Sequence, residues 1–357
     1  MTGRTTKLRT VALSKSYGPV MALADANLEV ADGEFVTLLG PSGSGKTTLL
    51  MMVAGLVLPS GGEVWIDSKL STYLPPHLRD IGMVFQNYAL FPHLSVAENI
   101  AFPLRMRRAP ESQIAKEVRH ILELVRLPEV AGRLPRELSG GQQQRIALAR
   151  CLVYGPSIVL MDEPLGALDK KLRDQMQFEI KSLQRRLGIT VLYVTHDQEE
   201  AMTMSDRICL MNHARIEQID TPENLYFRPR TIFAADFLGD SNIFEARLDA
   251  GRLEGPGGVV VNGVGNGAGG AVTAIVRPES LRLLANGEAA EGSAAGRLEN
   301  VVFVGGFVRL FVRLADGTIL QAKGATAPGL KLPPPGDAVR LGWPAAATVL
   351  IPEGGAQ

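Results

Sequence analysis

Short apolar runs alternate with helical patterns over the first two-thirds of the chain. Phe35-Val-Thr-Leu-Leu39 reads as a buried strand and runs at once into a glycine loop and the helical stretch Thr47-Thr-Leu-Leu-Met-Met-Val53. Ile158-Val-Leu-Met161 is a second buried strand and Thr190-Val-Leu-Tyr-Val-Thr195 a third. Continuous apolar runs of this length suit a parallel sheet covered on both faces. Between the last two, Leu172, Met176, Ile180, Leu183 and Leu187 fall at helical spacing, and Gly188 is placed to stop that helix. From about Leu94 to Val153 the strand signal disappears, which predicts a helical insertion into an α/β core. Around Asp236–Phe244 the character changes again. Beyond it come Gly-rich loops and alternating strands, in which Val308, Leu310, Val312 and Leu314 point one way and Asp316-Gly317 offers a hairpin turn. The pattern predicts an α/β domain over 8–240, with its insertion at about 94–153, followed by a small all-β domain over 241–357. No internal repeat of the α/β unit is visible.

Composition narrows the classes. The chain has 357 residues, enough for about two domains at roughly 100–200 residues each. Acidic and basic residues balance at 37 each. Nucleic-acid binders usually carry a basic excess, so no nucleic-acid partner is expected. The two cysteines, Cys151 and Cys209, sit in apolar stretches without metal-ligand spacing, so a disulfide framework or zinc site is not expected and a reducing setting fits. The N-terminal stretch lacks the apolar core of a signal peptide. The uncharged run Gly255–Val276 comes nearest to a membrane span, but Gly and Asn break it repeatedly; it reads as loop and short strands.

Three stretches carry chemistry at the ends of predicted strands. Gly40-Pro-Ser-Gly-Ser-Gly-Lys-Thr47 matches G-x-x-x-x-G-K-[ST] between a strand and a helix, the context of a phosphate-binding P-loop. Its glycines let backbone N–H groups wrap phosphates, Lys46 supplies a point charge, and the Thr47 hydroxyl can ligate Mg²⁺. Gly40, Pro41, Ser42, Gly43, Ser44, Gly45, Lys46, Thr47 and Thr48 are the candidate phosphate cradle. Ile158-Val-Leu-Met-Asp-Glu163 ends a strand in two adjacent carboxylates. Asp162 suits Mg²⁺, and Glu163, pointing the other way, can polarise an attacking water. His196 closes the third strand in the same manner. In one parallel sheet these three strand ends form one edge, where ligands bind. His77, His93, His120 and His213 lack such placement and are expected to be surface or packing residues.

A second phosphate-ready helix start lies at Leu138-Ser-Gly-Gly-Gln142. Ser139 could simply cap a helix. Alternatively, since Gly40–Thr47 already holds a nucleotide, the second start completes the site of another copy. Together the P-loop, the strand ending in Asp162-Glu163 and LSGGQ resemble the ABC ATPase family over about Leu8–Gly239. The resemblance implies that two such domains pack head to tail around ATP, with Ser139, Gly140, Gly141 and Gln142 of one meeting the γ-phosphate held by the other. Tyr17 then matches the aromatic residue that stacks on adenine. Gln86 matches the glutamine that reaches Mg²⁺ and the water, giving the catalytic set Glu163, His196 and Gln86 and the metal set Thr47, Gln86 and Asp162. Gly166-Ala-Leu-Asp169 matches the D-loop, with Gly where many members have Ser and with Asp169 retained. The tail is similar to the barrel-like TOBE domain of importer ATPases, through Val276-Arg-Pro-Glu279 and Glu299–Gly306. The implied fold is a P-loop ATPase core with a helical insertion and a small OB/TOBE-like β domain.

The implied function is the energising subunit of an ABC importer at the cytoplasmic face of the cell membrane. Its partners would be separate permease chains docking on the stretch 86–99 and the helices after it, and indirectly a substrate-binding protein. DNA-repair ABC ATPases insert long coiled coils between Lys46 and the signature, and too little chain is available here. Translation-associated members need two tandem nucleotide domains. A cytosolic sensor would not need Glu163 and Gln142 intact. The wording Leu74–His77, Arg79–His93 and Ala101–Leu104 looks most like spermidine/putrescine importer ATPases; relatives serving iron(III), sulfate, phosphonates and sugars share much of it.

Overall fold

The computed structural model describes residues 5–166, 168–265 and 269–352. Ala167 of the D-loop match and residues 266–268 of the uncharged Gly255–Val276 run lie outside the described residues. By internal contacts the chain divides into two compact units, one ending at Pro222 and one beginning at Glu223.

The first unit opens with two long strands, β1 (Thr6–Tyr17) and β2 (Val20–Ala31). Sequence periodicity does not single them out, because several register shifts in their antiparallel pairing interrupt the two-residue alternation. Next come β3 (Phe35–Leu39), α1 (Lys46–Ala54), β4 (Gly61–Ile66), β5 (Lys69–Leu70) and β6 (Ile81–Val84). The insertion holds α2 (Val96–Met106), α3 (Glu111–Leu124) and α4 (Gly140–Leu152). The core resumes with β7 (Ile158–Asp162), α5 (Lys170–Leu187), β8 (Thr190–Thr195), α6 (Gln198–Met204), β9 (Arg207–Asn212) and β10 (Arg215–Asp220). The described strands form a four-stranded sheet, β2-β1-β4-β5, and a six-stranded one, β10-β9-β3-β8-β7-β6. All pairs in the second are parallel except the edge pair β10–β9.

The central strands are apolar throughout because both faces are covered. Val36, Leu38, Ile158, Leu160, Leu192 and Val194 face a core shared with β1, β2 and α1. Phe35, Val159, Met161, Val191 and Tyr193 face the opposite core, built from α2 to α5. On α5, Met176 and Ile180 are buried and Leu172 and Leu183 half-buried, while Leu187 is exposed at the last turn. Gly188 ends that helix in the left-handed conformation, at φ 64°.

Arg79 is almost fully buried and joins three segments of this unit. Its Nη1 donates to the carbonyls of Met52 and Val53 at the end of α1, and its Nη2 and Nε to those of Thr72 and Leu74, all at 2.8 Å. It thereby satisfies two of the carbonyls that a helix end leaves bare.

The second unit has two short helices, Pro222–Phe227 and Ile232–Phe237, and otherwise antiparallel strands. Val308, Leu310, Val312 and Leu314 share one face of its core, and residues 314–318 turn between the strands Phe307–Arg313 and Ile319–Ala325. The described part of Gly255–Val276 forms short strands and loop.

Arg79→Met removes four charge-assisted bonds, three of them buried. It should destabilise the first unit by about 3 kcal/mol, seen as a clearly lower thermal unfolding midpoint. An unchanged midpoint would show that α1 does not depend on this anchor.

Candidate nucleotide site

β3, β8, β7 and β6 lie side by side and parallel, so their C-terminal ends form one edge. The glycine loop leaves β3, His196 follows β8, Asp162 ends β7 with Glu163 next, and Gln86 follows β6. The sheet therefore collects on one rim residues that the sequence scatters over more than a hundred positions.

The loop from Gly40 to Gly45 is folded tightly. Gly40, Gly43 and Gly45 take φ of 156°, 81° and 98°. A Cβ on Gly40 would collide with the Met211 carbonyl, and one on Gly45 with the Ala22 carbonyl, so only glycine fits there. Ser42 and Gly43 are exposed at the tip, Pro41 is half-buried, and Ser44 is buried. Lys46 is buried inside the loop, and its Nζ donates to the carbonyls of Gly40 and Pro41 at 2.9 Å each. Burial lowers its pKa, and the charges of Glu163 and Asp162 oppose that shift. Helix α1 starts at Lys46, Thr47 and Thr48 with no side-chain cap and no acidic residue in its first turn. Its first N–H groups and its dipole are left for an anion.

Thr47 Oγ1 donates to Asp162 Oδ1 at 3.3 Å. Burial raises the Asp162 pKa, the Thr47 bond opposes this, and the neighbouring Glu163 charge adds to it. Glu163 is held at φ 44° by a bond from its N–H to the Val194 carbonyl at 3.0 Å. That left-handed turn breaks the strand and swings its carboxylate to 3.1 Å from His196 Nδ1. The Glu163 side chain is 24% exposed and that of His196 62%, so the pair opens to solvent. A hydroxyl, a carboxylate and an amide oxygen are hard donors that suit Mg²⁺. The described residues hold no group of three or more His, Cys, Asp or Glu able to form a metal cage.

The second helix start is built differently. Ser139 caps α4: its Oγ accepts from the Gln142 N–H, and the Gln142 side chain accepts from the Ser139 N–H at 3.0 Å. The capping reading therefore holds within one chain. Ser139 and Gly140 are exposed, Gln142 is half-buried, and a Cβ on the buried Gly141 would press on Leu172. Asp169 caps α5, accepting from the Leu172 N–H at 3.0 Å, so the signature and the D-loop match lie against each other. Gln86 is exposed. Tyr17 ends β1 in the other sheet, 52% exposed, with Lys15 Nζ 4.9 Å from its ring centroid.

Sequence reasoning missed Glu200. In His196-Asp-Gln-Glu-Glu200 it reads as one of several solvated acids, yet it is buried and accepts from Tyr193 Oη at 2.7 Å and Thr195 Oγ1 at 2.8 Å. These bonds fix the strand end that presents His196. The available signal was helical register: after the Asp197 cap, Glu200 falls on the inner face of α6.

Comparison with known proteins agrees with this geometry. The description "ABC transporter" matches residues 23–166 and "TOBE domain" residues 274–351. A spermidine/putrescine import ATP-binding protein from Rubrobacter xylanophilus is 45% identical over 355 residues, spanning 96% of this chain and 93% of that protein. The chain is an ATP-binding protein of the ABC transporter family. The Escherichia coli protein YdcT, named an uncharacterized ABC transporter ATP-binding protein, is 44% identical over 93% of this chain and 94% of its own length. Among solved structures, the dimeric post-hydrolysis state of the ATP-binding cassette MJ0796, bound to ADP and Pi, matches with a TM-score of 0.54 at 36% identity. It covers 60% of this chain and 98% of that one. This ABC protein thus has the α/β cassette expected from its pattern, followed by an all-β TOBE domain.

The raised pKa of Asp162 makes its ionised form costly to the fold. The cost is absent below the ordinary Asp range, about 3.9, where the carboxyl is protonated whether folded or not. It grows as pH rises toward the elevated folded value and is complete above it. Asp162→Asn should therefore raise the unfolding midpoint of the chain without nucleotide at neutral pH, and this gain should shrink on acidification. A variant no more stable at neutral pH would contradict the desolvation argument.

Proposed function

We propose that this protein hydrolyses ATP as the energising subunit of an importer, acts as a head-to-tail pair, and serves polyamines of the spermidine/putrescine class. The observation that carries the reading is the shared rim of β3, β8, β7 and β6, along which the glycine loop, His196, Asp162 with Glu163, and Gln86 lie in that order. Tyr17 stacks on the adenine. The loop amides, Lys46 and the open start of α1 take the phosphates. Thr47, Asp162 and Gln86 hold Mg²⁺, which neutralises phosphate oxygen charge when bound. Glu163 accepts the proton of the attacking water, assistance typically worth about 10²–10⁴-fold, and His196 faces it across the same opening. Ser139, Gly140, Gly141, Gln142 and Asp169 of a second copy close over the γ-phosphate. An ATP that binds the closed pair better than the open one supplies the free energy that drives transport.

No described helix is long and apolar enough to cross a membrane. The pore is assigned to separate permease chains meeting residues 86–99 and the helical insertion, with the ATPase at the cytoplasmic face and a substrate-binding protein delivering cargo. Support for import of polyamines is the name of the Rubrobacter relative, a spermidine/putrescine import protein similar over nearly the whole chain. The name of YdcT states no cargo, so iron(III), sulfate, phosphonates and sugars are the alternatives.

Two substitutions address the pair. Glu163→Gln should bind ATP, lose at least about 10²-fold in hydrolysis and accumulate as an ATP-bound dimer on size-exclusion chromatography. Ser139→Arg in that background should bind ATP equally well and stay monomeric. Full turnover by Glu163→Gln would remove it as the base, and loss of ATP binding by the Ser139→Arg monomer would remove the action between copies.

Cargo is addressed with the complex. The tagged chain is drawn from native membranes with its membrane subunits, and ATPase is measured with polyamines, ferric iron, sulfate, phosphonates and sugars, each on its binding protein. Stimulation by spermidine or putrescine is the expected result. Stimulation by another cargo instead would discard the polyamine assignment, and failure of any membrane subunit to co-purify would discard the importer.

A further inference from the structure

The segment joining core to insertion runs from Phe85, after β6, to Ser95, before α2. Phe85, Gln86 and Asn87 are exposed. The next two residues are held in a costly conformation. Tyr88 and Ala89 take φ of 58° and 48°, a region unfavourable to residues with a Cβ. Tyr88 is also buried, and its hydroxyl has no hydrogen-bond partner among the described residues, although buried polar groups ordinarily find one. Conformations of this kind persist only where the surroundings over-determine them.

Local turns contribute, with the Tyr88 N–H donating to the Phe85 carbonyl at 2.9 Å and the Ala89 N–H to the Asn87 carbonyl at 2.6 Å, and the helix that carries the signature adds a second hold. Arg150, in the last turn of α4, donates from Nη1 to the Ala89 carbonyl at 2.7 Å and from Nη2 to the Tyr88 carbonyl at 2.9 Å. Its guanidinium lies 5.5 Å from the Phe91 ring centroid. Asn99 of α2 takes over beyond that point: it accepts from the Phe91 N–H at 2.8 Å and donates to the carbonyls of Phe91 and Leu94 at 3.1 and 3.0 Å. From Tyr88 onward the segment is fastened to the insertion, whereas β6 belongs to the sheet. Gln86 lies in the three exposed residues between the two attachments. Arg150 stands on the same helix as Ser139, at the opposite end.

We infer that Arg150 is a positioning residue for Gln86. Its two-pronged hold on the Tyr88 and Ala89 carbonyls sets the angle at which the chain leaves β6, and so ties the placement of Gln86 to the position of the signature helix. The planar fork of arginine suits two neighbouring carbonyls, and a lysine ammonium does not replace it. The inference rests on the reading of Gln86 as a Mg²⁺ ligand given above.

The test uses the full chain with Arg150→Met and Arg150→Lys, beside Gln86→Ala. Three quantities are read: hydrogen exchange at the amides of residues 86–90 without nucleotide, the Mg²⁺ concentration giving half-maximal ATPase, and ATP binding in EDTA. Arg150→Met removes both bonds and should speed exchange by at least about tenfold, the low end for a single charge-assisted bond, raise the Mg²⁺ requirement several-fold, and leave ATP binding in EDTA little changed. Arg150→Lys should fall between it and the parent, and it carries the test if the Met variant does not fold. Exchange unaltered in the Arg150 variants overturns the hold on the loop. Faster exchange with an unaltered Mg²⁺ requirement, while Gln86→Ala raises that requirement, overturns the positioning role. If Gln86→Ala also leaves it unaltered, the ligand reading of Gln86 fails, and faster exchange still upholds the clamp.

Discussion

The parallel pairing of β3, β8, β7 and β6 is the constraint on which the rest depends. Each strand is held in register by its neighbours, with Leu39 opposite Thr195, Asp162 opposite Val194 and Val84 opposite Met161. Their ends can therefore deliver the glycine loop, His196, Asp162 with Glu163, and Gln86 to one rim without any of these residues being near another in sequence. Strands buried on both faces must be apolar along their length, so polarity returns only where they end. The chemistry sits where the sheet first allows charge.

That rule explains how much could be read in advance. The runs Phe35–Leu39, Ile158–Met161 and Thr190–Thr195 announce their strands by apolar continuity, and the residues after each announce the site. The helical insertion and the hairpin around Asp316-Gly317 were legible for the same reason: their periodicities are clean and the turn chemistry is local. β1 and β2 were not, because their register shifts break alternation and because a half-covered antiparallel pair mixes exposed and buried positions. Arg79, Asn99, Arg150 and Glu200 were illegible for another reason. A charged or amide side chain in sequence looks like a solvated one, and only tertiary packing turns it inward onto carbonyls or hydroxyls.

The two helix starts show how one local feature divides into two uses. Helix α1 leaves its first N–H groups without a side-chain cap, and the bland solution is refused because Gly45 has no side chain to offer. Helix α4 is capped by its own Ser139 and Gln142. A capping box satisfies only two donors, so it stabilises the free start of α4 without closing it to an anion. One start is left open, and the other is stabilised by its own chain while it remains exposed.

The rim also carries unfavourable electrostatics. Burial pushes Lys46 down and Asp162 and Glu200 up, each toward its uncharged form. Lys46 meets only neutral carbonyls and a hydroxyl at hydrogen-bonding distance, and Glu163 turns out of the strand in a left-handed conformation. These costs are borne by the rigid sheet, which has cores on both faces to offset them. An anion beside Lys46 and a cation between Thr47 and Asp162 would each restore the charge balance that burial withholds.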